Sequence, residues 1–131
     1  MIAKMLVTVA TISVVGVSVL SVRAMSAQSQ PSRLVRLAEL EIDPAQLSAY
    51  KAALREEIET SIRVEPGVLT LYAVGVKGEP NQIRLFEIYA GPVAYQAHLQ
   101  SEHFKKYKSV TADMVKSLRL IETEPLALGT K

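Results

Sequence analysis

Two runs of branched and aromatic residues between Val68 and Ala90, joined by Gly78-Glu79-Pro80-Asn81, most narrow what this chain can fold into. In the first run Val68, Thr70, Tyr72, Val74 and Val76 alternate with Leu69, Leu71, Ala73 and Gly75, so both parities are largely apolar. A strand of that kind is covered on both sides. The turn residues bring the chain back as Gln82 to Ala90, and the two runs pair as a hairpin.

The flanking segments have equally plain periods. Arg33 to Ile42 reads as a strand, with Leu34, Ala38, Leu40 and Ile42 on one parity and Val35, Leu37, Glu39 and Glu41 on the other. Asp43-Pro44 then supplies a helix cap and a proline at the first helical position, where its missing N–H is not needed. Leu47, Tyr50, Leu54, Ile58 and Ile62 form one apolar stripe at three- and four-residue spacing, and Glu65-Pro66-Gly67 ends the helix. Gly91-Pro92 opens a short helix carrying Val93, Ala94, Ala97 and His98. Ser101 caps another that is expected to run to about Leu118, with Phe104, Tyr107, Val110, Met114 and Leu118 inward. Arg119 to Leu128 reads as the last strand. The order β-α-β-β-α-β predicts an α+β, ferredoxin-like fold with helices on one side of an antiparallel sheet. The strands' second apolar parity then needs a cover, and a second copy of the sheet makes the expected assembly a homodimer.

Charge and composition exclude several classes. The 131 residues carry 15 Lys+Arg, 13 Asp+Glu and no Cys, enough for one domain and without a disulfide framework. Lys4 and Arg23 belong to a separate N-terminal segment; without them the two signs balance at 13 each, and no nucleic-acid partner is expected. Met5 to Val22 is an uncharged run of 18 residues behind Lys4, followed by small residues at Ala24, Ser26 and Ala27. Residues 1–27 therefore read as an export signal, or as an N-terminal anchor if uncleaved, and place the domain in the periplasm or cell envelope. Membrane contact is expected only through that segment. Residues 28–32 form a polar linker, and the domain spans 33–128.

Glu65-Pro66-Gly67, the strand end Phe86-Glu87-Ile88-Tyr89, Ala97-His98-Leu99 and Ser101-Glu102-His103-Phe104 together resemble the antibiotic biosynthesis monooxygenase (ABM) family, most closely its quinol monooxygenase-like members. The resemblance implies a dimeric α+β barrel with a pocket between sheet and helices in each protomer. It also implies oxygenation of phenols or quinols without metal or flavin, so no cofactor is expected, and the partners are a small aromatic substrate and oxygen. An isomerase on the same scaffold and a non-catalytic binding protein are the alternatives, since a fold does not fix a reaction. Tyr89 stands where Trp is commoner in the family, and the export segment departs from its cytoplasmic members. The haem-degrading branch uses an Asn, a Trp and a His together; here Trp is absent and the lone Asn81 sits in a turn.

Oxygenation without a cofactor needs a base that turns a phenol into its electron-rich anion, and histidine suits that transfer near neutral pH. His98 and His103 are the only histidines and the candidate bases; the plain structural alternative is a ring packed at the helix junction. Glu87 lies on a strand face with Ile83, Leu85 and Tyr89, where it would orient a histidine, hydrogen-bond a substrate hydroxyl, or form an ion pair with Arg84. Tyr72, Tyr89, Phe86 and Phe104 are the expected substrate-binding residues. No metal site is expected, because His98 and His103 are five apart across a helix break rather than four apart on one helical face.

Overall fold

A computed structural model describes residues 32–129. Its elements are β1 (Leu34–Ile42), α1 (Leu47–Val64), β2 (Val68–Val76), β3 (Glu79–Tyr89), α2 (Pro92–Gln100), α3 (Glu102–Thr111) and β4 (Val115–Glu122). The expected leader lies outside the described residues, as does the linker before Ser32. Among the described residues no helix is long and apolar enough to cross a membrane.

The strands form one antiparallel sheet in the order β2-β3-β1-β4, the ferredoxin-like topology. The sheet is open, which corrects the expectation of a dimeric α+β barrel: β2 and β4 are opposite edges that do not pair with each other. Closing a sheet requires its edge strands to tilt and stagger until they pair, and four strands are too few to bring β2 round to β4.

Asp43 accepts the Ala45 N–H at 3.0 Å, and that bond holds its carboxyl below the ordinary value. The contact starts a single 3-10 turn, Pro44–Gln46, that runs directly into α1. At the other end of α1, Gly67 lies so close to α2 that a Cβ built on it would stand 2.5 Å from the Ala94 Cβ. Only glycine permits this approach. The aliphatic core joins Ala38, Leu40, Ile42 and Ile83 of the sheet to Tyr50 and Leu54 of α1. A smaller cluster of Val68, Leu71 and Tyr89 lies toward α2.

Several local expectations change. The hairpin turn is tighter than Gly78-Glu79-Pro80-Asn81, because β3 already begins at Glu79, and the last strand ends at Glu122 rather than Leu128. The third helix stops at Thr111, where a turn leads Met114 and Asp43 into a backbone bond of 2.8 Å, and β4 starts at Val115 as the edge partner of β1. Pairing with β1 overrides the helical period after Thr111 and leaves Leu118 exposed, while Val110, still on α3, is exposed as well. In β2 the register shifts between Val68 and Thr70, so Val68 and Leu71 are both buried while Tyr72 and Val74 face outward; the strand is covered on one side only. On α1 the buried positions are Tyr50, Leu54, Glu57 and Ser61, and Ile62 is exposed. Those four share one face because steps of four, three and four keep nearly constant phase at 3.6 residues per turn, and Ile62 lies about 100° further round.

Candidate active site

Polar side chains collect where the ends of α1, α2 and α3 meet the sheet. Glu57 and Ser61 continue the inward face of α1, and the Ser61 Oγ donates to Glu57 Oε1 at 2.7 Å. Ser101 ends α2 and begins α3: its hydroxyl donates to the His98 carbonyl at 2.7 Å and accepts the Phe104 N–H at 3.3 Å. This sharp break folds His98 and His103 onto one carboxylate. Glu65 Oε1 lies 2.9 Å from His98 Nδ1 and 2.5 Å from His103 Nε2. An ionised carboxylate can only accept, so both of those nitrogens carry protons, and a neutral His98 keeps its lone pair on Nε2. That nitrogen faces Glu57 Oε1 at 3.6 Å. Burial pushes the Glu65 carboxyl up, but the bonds from the two imidazoles outweigh it and hold the group below its ordinary value. At Glu57 burial wins, and the carboxyl is pushed up.

His98, Glu57 and Glu87 border a cavity of about 30 Å³ whose apolar walls include Leu54, Leu71, Leu85, Phe104 and Tyr107. That volume is of the order one water needs. A groove of about 510 Å³ between α1 and β2 shares Leu54, Ile58, Leu71 and Tyr72 with it. Burial pushes the Glu87 carboxyl up, and the Tyr89 hydroxyl donates to its Oε2 at 3.1 Å. Across the sheet Glu87 is in register with Arg36, whose guanidinium lies 4.4 Å from the Tyr95 ring centre and bonds Glu122 at 3.0 Å. Arg84 instead approaches Glu39 at 3.9 Å, so it is not the partner of Glu87. The His98 ring packs on Phe104, with centroids 4.7 Å apart.

Of the residues singled out in the sequence, His98, Glu87 and Phe104 meet at this cavity. His103 does not reach it; it borders a separate surface depression and is tied to His98 through Glu65. Tyr89 is buried with its hydroxyl committed to Glu87, and burial pushes that hydroxyl far up, so it supports the site rather than lining it. Tyr72 borders the rim but is 67% exposed. Phe86 points away: it pairs with Leu37 and Tyr72 on the opposite side of the sheet, one residue out of phase with Leu85 and Glu87. The helix break that separates the histidines in sequence brings a nitrogen of each within 4.8 Å of a Glu57 carboxylate oxygen.

Residues 33–110 match the family model for antibiotic biosynthesis monooxygenase. The chain belongs to the ABM family. A crystal structure from Bacteroides thetaiotaomicron assigned to the antibiotic biosynthesis monooxygenases is 52% identical, covering 76% of this chain and 95% of that one with a TM-score of 0.74. A monooxygenase structure from Lactobacillus acidophilus is 31% identical with a TM-score of 0.67, over 70% of this chain and 43% of its own length. An antibiotic biosynthesis monooxygenase structure from Nitrosomonas europaea, at 23% identity, 74% and 93% coverage and a TM-score of 0.69, shares the fold. No curated protein matches the chain.

Within this ABM domain, sequence reasoning missed Glu57 and Glu65. Their signal was present: Glu57 stands in phase with Tyr50 and Leu54 on the inward face of α1, where a charged residue is costly to bury without a role or a partner. Glu65 follows at the same four-residue step from Ser61, hidden inside what reads as a helix-ending turn.

Proposed function

We propose that this ABM protein oxygenates a hydroxy-aromatic compound of the quinol or phenol class, without a cofactor and after export to the cell envelope. The observation that carries the reading is His98: buried at the cavity wall, with Nδ1 held by Glu65 and Nε2 directed to the interior beside Glu57. A base so oriented accepts the proton of a substrate hydroxyl. The resulting anion is the electron donor to oxygen, and a phenol plus O2 gives a quinone plus water with no external reductant. The substrate body fits the groove between α1 and β2, whose apolar wall continues into the cavity through Leu54 and Leu71. Glu87 is placed to meet a second hydroxyl. His103 has the supporting part, sharing Glu65 with His98 and standing nearer solvent.

The open face of the sheet carries Tyr72 and Val74 exposed beside Phe86. We propose that a second copy covers it as a homodimer; sedimentation that returns only monomer at micromolar concentration rejects this. The reaction is tested by oxygen uptake with a panel of reduced quinols and phenols in the presence of chelator. Uptake above uncatalysed oxidation that collapses in His98→Ala, and falls less in His103→Ala, supports the reading. A folded protein with no uptake across the panel, or uptake indifferent to His98→Ala, removes it.

A further inference from the structure

We propose that Glu57, His98 and His103 form a binding site for a divalent first-row transition cation such as Zn2+. One carboxylate oxygen and one nitrogen of each ring lie within 4.8 Å of one another. Glu57 Oε1 and His98 Nε2 are already 3.6 Å apart. Two tetrahedral ligands ~2.1 Å from one ion stand roughly 3.4 Å apart, so this edge of the site is nearly set, and His103 closes the other two edges from within 4.8 Å.

The surroundings match what such ligands require. A metal-binding histidine characteristically donates its second ring N–H to a carboxylate, which fixes the tautomer and aims the lone pair. Glu65 does this for His98, accepting Nδ1–H at 2.9 Å, and it also holds His103. Ser61 in turn steadies Glu57. The Glu57 carboxylate is buried among apolar walls, so a cation in contact with it offsets the cost of burying charge. An access route exists as well: Glu57 and His103 both line a depression of about 40 Å³ between α1 and α3 that is separate from the substrate groove. Two imidazoles with a single carboxylate favour Zn2+, Ni2+ or Co2+ over Mg2+ or Ca2+. Where His98 is the base, as proposed above, a bound ion occupies its lone pair and stops the reaction, so this consequence rests on that reading while the binding itself does not.

The test is calorimetric titration of untagged, chelator-treated full-length protein with Zn2+, alongside Mg2+, and with Glu57→Gln, His103→Ala and Glu65→Gln variants whose folding is checked by circular dichroism without metal. One Zn2+ per chain, no Mg2+ binding, a raised Tm with Zn2+, and affinity lowered at least ~10-fold in each variant are expected. Cobalt should give the visible absorption of a low-symmetry site in the wild type and lose it in Glu57→Gln. No saturable Zn2+ binding, or binding unchanged in folded Glu57→Gln and His103→Ala, overturns the site. Because oxygen uptake is measured under chelator and metal binding without substrate, either proposal can fail while the other stands.

Discussion

The two ends of the layer between helices and sheet are built on opposite terms. At one end Ala38, Leu40, Ile42, Leu54 and Ile83 close around Tyr50, whose hydroxyl meets that of Tyr107 at 2.7 Å. At the other end Glu57, Ser61 and His98 are buried, and Glu87 joins them beside the cavity. Each fully buried Leu or Ile side chain at the first end contributes about 1.5–3 kcal/mol. Buried carboxyls at the second have to be offset by hydrogen bonds or forgo ionisation. The fold therefore keeps its stability at one end and holds its chemistry at the other: the same helix, α1, supplies Tyr50 and Leu54 to the first and Glu57 and Ser61 to the second.

That contrast can be broken at three places of decreasing effect. Ile42→Ala, in the fully buried aliphatic end, is expected to cost about 2–5 kcal/mol in urea denaturation; a loss under 1 kcal/mol would show that this end is not where stability resides. Gly67→Ala forces a Cβ against Ala94 at the base of the polar end and is expected to cost about 1–3 kcal/mol. Adding Ala94→Gly should restore most of it, and a double variant no better than the single one would place the strain elsewhere. The smallest effect has the opposite sign. Glu87→Gln is expected to raise Tm at pH 7 and leave it unchanged near pH 3, because burial raises the folded-state pKa above the ordinary 4.5. The penalty is absent below that value, appears as pH rises through it, and is complete above the folded-state pKa. Tyr89, Arg36, His98 and Glu57 all act on this carboxyl and remain in the variant. Equal Tm gains at both pH values would mean that the benefit is packing rather than charge.

Much of this was legible in the residues. Alternation in β1, the Asp43-Pro44 start, the Glu65-Pro66-Gly67 stop and the Ser101 cap each follow from local backbone chemistry, and each stands where the sequence placed it, whereas β3 begins three residues earlier, inside the expected turn. His98, Glu87 and Phe104 were also identifiable, since a titratable or aromatic residue among apolar neighbours is conspicuous in one dimension. What misled were positions where two local preferences compete. The segment after Thr111 keeps an apolar helical period through Leu118, yet β1 offers an edge of unpaired backbone groups that β4 satisfies. Phe86 differs from Glu87 by one step, and a period of two sends them to opposite sides of the sheet.

Period, caps and turns act over a few neighbours, so the residues alone carry the order of strands and helices, and the motifs around His98 and His103 carry the family resemblance. The open sheet, the gathering of two histidines on Glu65 and the approach of Glu57 to them come instead from packing. Those outcomes depend on contacts between elements up to tens of residues apart, such as His98 with Glu65 and with Glu57, and no local pattern records which side chains such packing will bring together.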